Sequence, residues 1–257
     1  MIALALAAWL AAPALPHPLA APGDDFHWQG KLAAGQTIRI QGINGAIHAS
    51  AATGAEVVVS ATKRARKSDP DDVKIEVVQA SGGVTICAVY PGRHGKTNRC
   101  DGEGHNDQDT ENNDTEVEFT VAVPVGVLFE GGTVNGDVDA IGLDADATAS
   151  TVNGSVEVST KGRAEASTVN GSIRATVGKT LVSDADFSTV NGGITLTMPA
   201  DLACEFKANT VNGSIDSDFP ITVTGRMNPS SLRGTIGAGG HRLSLNTVNG
   251  SIRLRKS

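Results

Sequence analysis

The chain has 257 residues, with 21 Lys+Arg against 28 Asp+Glu and a formal net charge of −7. That balance excludes the basic footprint needed to neutralise phosphates, so neither nucleic acid nor a generally anionic membrane is an expected partner. With only 6 Phe, 2 Trp and 1 Tyr beside 30 Gly, base-stacking platforms and aromatic sugar clefts are excluded over most of the surface, and the core must come from Val, Ile, Leu and Ala.

Residues Ile2 to Ala12 form an apolar run followed by Pro13, Pro16, Pro18 and Pro22. The run is too short for a bilayer, which takes about 20 residues, and fits the h-region of a secretory signal. Small residues suit cleavage in the Ala12–Ala14 region or after Ala21. No Lys or Arg precedes the run, which departs from the usual signal pattern. The expectation is a signal peptide over 1–21, a single β-repeat domain over 22–257, and no transmembrane helix in the mature chain.

Alternating apolar residues then mark strands at Val57 and Val59, at Val73, Ile75 and Val77, at Gly83–Ile86 and at Glu116–Val125. Between the first two lies a basic tract, Lys63–Lys67, and a turn, Ser68–Asp72. The tract reads as a solvated strand end; contact with lipid A phosphates or an anionic wall polymer is its sharper alternative. Residues 90–116 lack Val, Ile, Leu and Met, so they read as a polar loop inserted into the sheet. Cys87 and Cys100 bracket it. In an oxidising compartment they form a disulfide, and closing a loop of about 14 residues is worth about 3 kcal/mol. A zinc site adding His94 and His105 has no matching ligand spacing. The loop carboxylates Asp101, Glu103, Asp107, Asp109, Glu111 and Asp114 lack the spacing of a Ca²⁺ loop. Cys204 reads as a buried free thiol.

From Thr133 onward the string Thr-Val-Asn-Gly recurs, with asparagines Asn135, Asn153, Asn170, Asn191, Asn212 and Asn249, spaced by 18, 17, 21, 21 and 37 residues. An early copy surrounds Asn44, and a degenerate one, Leu232–Ile236, falls in the last gap. Apolar columns appear one residue before the Asn (Ile43, Val134, Val152, Val169, Val190, Val211, Leu232, Val248) and three after it (Ile47, Val138, Val156, Ile173, Ile194, Ile215, Ile236, Ile252). Others lie four and six before it, with polar residues between. Each unit therefore predicts two short strands joined at Asn-Gly, with these columns inward.

Asn-Gly between apolar strands is also a hairpin signal, so an antiparallel β-sandwich competes. An all-β fold of the β-solenoid type, with stacked two-strand rungs and Asn-Gly corners, explains better why the same corner recurs with identical columns. Stacking sets the asparagines into a hydrogen-bonded ladder. The Ala-only rungs at Asn153 and Asn170 predict a narrow middle. The final unit, Thr247–Leu254, is expected to end the stack, guarded by Arg253, Arg255 and Lys256 against end-to-end pairing. A mainly monomeric protein with weak self-association follows.

Solenoids can carry carbohydrate-active sites built from carboxylates on one outer face. Asp137, Asp139, Asp144, Asp146 and Glu157 are the candidates, with no His or Arg expected beside them, and a solvated acidic face is the plainer reading. No catalytic residue, cofactor or metal site is expected.

The units Thr-Val-Asn-Gly-Ser-[Val/Ile], the segment Phe26–Gly30 leading into Gln41–Gly45, and Val121–Pro124 before the first regular rung together resemble the putative-adhesin family of bacterial β-strand-repeat proteins, over nearly everything after the signal. The resemblance implies an exported, periplasmic or secreted protein of the cell envelope, of unknown function, with no catalytic residues. The expected role is structural, adhesin-like or ligand-binding towards a protein or glycan. A lyase or hydrolase on the same scaffold is the alternative.

Overall fold

A computed structural model describes residues 26–92, 98–101, 110, 112–179, 181–223 and 230–257. The expected signal peptide lies outside the described residues, as do His94, His105 and most of the loop carboxylates.

Among the described residues the chain makes two long sheets, one of 10 strands and one of 11, lying face to face. Each Asn-Gly corner joins a strand of one sheet to a strand of the other. The rungs, in chain order, start with β2 (Thr37–Gln41) and β3 (Ile47–Ala51). After the outer segments come β8 (Leu128–Gly132) and β9 (Val138–Leu143), β10 (Ala147–Ser150) and β11 (Val156–Thr160), β12 (Ala164–Ser167) and β13 (Ile173–Val177), and β14 (Ala185–Ser188) and β15 (Ile194–Met198). Then follow β16 (Cys204–Asn209) with β17 (Ile215–Ser217), and β20 (Arg242–Asn246) with β21 (Ile252–Lys256). Equivalent strands of successive rungs pair in parallel, for example β10 with β12 and β11 with β13. This is a β-solenoid, since hairpins would have paired the two strands of one unit antiparallel.

The inward columns at three after and at four and six before the Asn are buried through the middle of the stack, for example Val156, Ile173 and Ile194 opposite Ala147, Ala164 and Phe187. Large and small residues are matched. The ring of Phe129 lies over Gly131, where an added Cβ would stand 2.8 Å from Phe129 Cζ and 3.2 Å from Val138 Cγ1.

Stack order differs from chain order at both ends. In the 10-stranded sheet the order ends β15-β21-β17, and in the 11-stranded sheet it runs β14-β20-β16. The final unit is therefore not terminal: it is inserted between the rungs of Asn191 and Asn212. The degenerate copy Leu232–Ile236 is not a rung. It lies in β19 (Ser231–Ile236), antiparallel along the outer edge of β16, and β18 (Ile221–Val223) pairs antiparallel with β19 in turn. At the other end the first unit is tucked inside as well. The outermost rung there is β6 (Gly83–Val89) and β7 (Glu116–Val123). Three strands pair antiparallel beyond it: β5 (Lys74–Ala80), β4 (Val57–Arg64) and β1 (Phe26–Gly30).

Cys87 and Cys100 are bonded, with Cα atoms 5.7 Å apart. Among the described residues of the insertion, Tyr90, Asn98 and Thr115 are buried rather than solvated. The single hydroxyl proton of Tyr90 is shared between the carbonyls of Thr115 (2.9 Å) and Asn44 (3.1 Å), and burial raises the phenol well above its usual range. Cys204 is a buried free thiol that burial, aided by the Glu205 charge, pushes up to about 12. Among the described residues no helix is long and apolar enough to cross a membrane.

Candidate binding face along the Asn-Gly corners

The corner breaks the alternation of the strands, and this overturns one expectation about the columns. In five of the six Thr-Val-Asn-Gly corners the Val faces out: Val152, Val169, Val190 and Val248 are 36–39% exposed and Val211 65%, while Val134 is half-buried against the core. Ile43, in the first unit, is buried there. The Thr before it turns in instead, and Thr133, Thr151, Thr168, Thr189, Thr210 and Thr247 are all at most 5% exposed. A buried hydroxyl needs a partner. Each finds the carbonyl of the Gly in a neighbouring rung, as in Thr151 Oγ1 to Gly136 O (2.8 Å), Thr168 to Gly154 (2.8 Å) and Thr247 to Gly192 (2.9 Å). The Gly is required by close approach: a Cβ on Gly171 would collide with the carbonyl of Gly154.

Beside the Val ridge runs a chain of amides. Asn135 Nδ2 donates to Asn44 Oδ1, Asn153 to Asn135, Asn170 to Asn153, Asn191 to Asn170 and Asn249 to Asn191, all at 2.8 Å. Asn212 then donates to Asn249 at 2.7 Å. The dipoles point one way, so neighbouring bonds strengthen each other. The ladder reaches Asn44 at one end and Asn212 at the other, not Asn249. Ser155, Ser172, Ser251 and Ser214 lie two residues after their Asn, completing a polar–apolar strip along one edge of the stack.

The candidate carboxylates separate into three places. Asp137 stands on the corner strip and accepts from Ser155 N (2.7 Å). Asp144 and Asp146 lie at the opposite corners. Lys161 lies 2.9 Å from Asp144 and holds it below the usual carboxylate range, while Arg163 approaches Asp146 at 3.7 Å. Asp139 and Glu157 are neighbours in register on the outer face of the 10-stranded sheet. Contrary to expectation, both have basic neighbours. His48 Nδ1 is 3.0 Å from Asp139 Oδ2 and its Nε2 3.7 Å from Glu118 Oε1, while Arg174 approaches Glu157 at 3.6 Å. His48 was missed because its rung lies 91 residues from Asp139 in the chain. Among the described residues no cluster of His, Cys, Asp and Glu is arranged to hold a metal ion.

Two open depressions adjoin the Asn44 end of the ladder. One of about 550 Å³ is lined by Asn44, Asn135, Asp114, Glu116 and Asp137, and one of about 580 Å³ by Arg64, Arg66, Asp114 and Glu116. The basic tract is partly neutralised here. Lys63 pairs with Asp71 (3.0 Å), and Asp114 accepts from the backbone N–H of Ser68 (2.9 Å) and Lys67. These bonds, led by Ser68, bring Asp114 down to about 2. Arg255 and Lys256 are not free guards of an end. Arg255 bonds Asp216 (2.7 Å) and Asp218 (2.9 Å), and Lys256 lies over the Phe219 ring.

Residues 130–255 match the family model described as Toastrack DUF4097. No curated protein matches the sequence. Among solved structures, a "putative cell adhesion protein" from Clostridium sporogenes is similar with a TM-score of 0.44 and 9% identity, covering 90% of this chain and 99% of that one. A "putative adhesin" from Bacteroides fragilis is similar with a TM-score of 0.38 and 13% identity, covering 89% of this chain and 96% of that one. Likenesses this distant say nothing of ligand or activity.

Proposed function

Residues 130–255 of this chain belong to the Toastrack DUF4097 family, and from that premise we propose a non-enzymatic, exported protein of the bacterial envelope whose corner strip binds an extended extracellular ligand, protein or glycan. The observation that carries the reading is the strip itself. Exposed Val and Asn side chains repeat at the strand spacing of about 4.8 Å from rung to rung, on a scaffold with apolar residues turned outward in register. A row of valines left in water across several rungs favours a partner that covers it, and the amide ladder supplies hydrogen bonds beside it. Export is supported by the apolar run Ile2–Ala12 and by the Cys87–Cys100 bond, which persists in an oxidising compartment.

Two measurements test this. The full chain expressed in a bacterium should appear outside the cytoplasm, shortened at its N-terminus. The processed protein should bind intact envelope material, and V169R/V190R should reduce that binding at least tenfold while leaving the melting temperature within a few degrees. Undiminished binding by the double variant would move the site off the strip.

The second reading, a carbohydrate-active enzyme, has one observation in its favour: His48 stands between Asp139 and Glu118 on the outer sheet face, with Glu157 next in the row. A histidine between carboxylates is a general acid–base arrangement. Release of reducing ends from envelope polysaccharides, lost in H48A, would establish it.

A further inference from the structure

The position of the final unit is not set by chain order. β20 lies between β14 and β16, and β21 between β15 and β17. On one wall Thr189 N, Gly192 N and Ile194 N donate to the carbonyls of Asn246, Asn249 and Ser251. On the other, Thr247 N, Gly250 N and Ile252 N donate to those of Asn209, Asn212 and Ser214. Backbone bonds along two edges do not distinguish which chain supplies the strand. Nor does the corner, because Thr247–Ile252 repeats both Thr168–Ile173 and Thr210–Ile215 letter for letter. Arg255 adds a side-chain key through Asp216 and Asp218, but both carboxylates belong to the outer-rung segment, so an incoming copy meets them too.

The tether holding this unit is short and sharply bent. Between Ile236 and Arg242 the chain crosses over the start of β16, with Gly237, Gly239 and Gly240 at φ +57°, +78° and +136°. Gly237 packs against Leu202 and Ala203 beneath it. The crossing bridges two strand spacings, about 9.6 Å, with six residue steps that reach about 20 Å at full extension, and the slack carries it over that chain.

We infer that the slot between the rungs of Asn191 and Asn212 is a self-association site for a second copy of this chain. Residues 242–256 of each copy enter the slot of the other, giving a reciprocally exchanged dimer. The exchanged rung makes the same bonds as the unexchanged one, so the balance is set by the tether. At low concentration the tethered unit wins, its effective concentration being of the order of mM. Exchange grows with protein concentration and with strain in the crossing.

The first test deletes Ala238–Gly240 from the full chain. Three residue steps then remain, about 10 Å at full extension, which leaves no slack to arch over Ala203. The deletion variant should run as a dimer in light scattering and melt within a few degrees of the parent. A monomer whose residues 242–256 have become protease-sensitive overturns the inference. The second test needs no change in the crossing. Asp186 and Ser244 face each other in register, so differently tagged copies carrying D186C and S244C are co-expressed. A disulfide linking the two copies should form in proportion to exchange and exceed that of a D186C and S159C pair. A yield no higher than that control also overturns the inference.

Discussion

Replacing single asparagines along the ladder reads the order of the stack. Asn249→Ala removes two amide bonds, its own to Asn191 at 2.8 Å and the one it receives from Asn212 at 2.7 Å. Asn212→Ala removes only the second of these. A hydrogen bond is worth about 0.5–1.5 kcal/mol net, and these lie at the lower end because the ladder faces water. Asn249→Ala should therefore cost about 1–2 kcal/mol and Asn212→Ala about half of that. None of the ladder asparagines has a positive φ, so the backbone contribution of the change to Ala is common to all and cancels in the comparison. For a domain of this size 1 kcal/mol shifts the melting temperature by about 2–4 °C. Thermal melts monitored by circular dichroism, with urea titrations for the free energies, should rank Asn249→Ala level with Asn170→Ala and Asn212→Ala as milder. Asn212→Ala as damaging as Asn249→Ala would refute the inserted position of the final unit.

Three further outcomes are expected. Breaking the disulfide with Cys87→Ser and Cys100→Ser should destabilise by about 3 kcal/mol in the chain-entropy model, and the parent's melting temperature should fall equally on reduction. Gly131→Leu, driven into the Phe129 ring, should cost about 1–3 kcal/mol by overpacking, as should Ala166→Phe at a buried position of the Ala-only rungs; a neutral melt for either would mean the sheets can separate. Asp114 has a folded pKa of about 2 against an ordinary 3.8, so the unfolded state binds its proton more readily. The stability it contributes is full above about pH 4 and is lost as pH falls through 2. The difference between the parent and Asp114→Asn in urea titrations should be present at pH 5 and shrink as pH approaches 2; a difference independent of pH would contradict the role given to its carboxylate.

Much of this architecture is legible in the repeats. The columns three after and four and six before the Asn stand where period-two alternation puts them, because within a strand side chains have only two directions. Alternation fails at the corner, where the chain changes sheets. There Thr turns in because a carbonyl awaits its hydroxyl, and Val is left outside. Stack order was hidden for a different reason. The units at 210–215 and 247–252 are identical, so no side chain could say which lies against the rung of Asn191; only the 37-residue gap between Asn212 and Asn249 hinted at an excursion. The neighbourhood of His48 and Asp139 was illegible because the segment from β4 to β7 (residues 57–123), which lies between them in the chain, folds outward to form the outer rung and most of its antiparallel cover. Tyr90 showed only as a lone aromatic at the edge of a polar loop.

Paired cysteines test the stack most directly, since the strip, the ladder and the exchangeable slot all depend on its order. Ser188 lies in register with Asn246 of the final unit, and Asn246 in turn with Asn209 of the outer rung. In dilute protein, S188C/N246C should form a disulfide within one chain, whereas S188C/N209C, two strand spacings apart at about 9.6 Å, should not. Efficient closure of S188C/N209C with none in S188C/N246C would place the rungs in chain order and contradict the account.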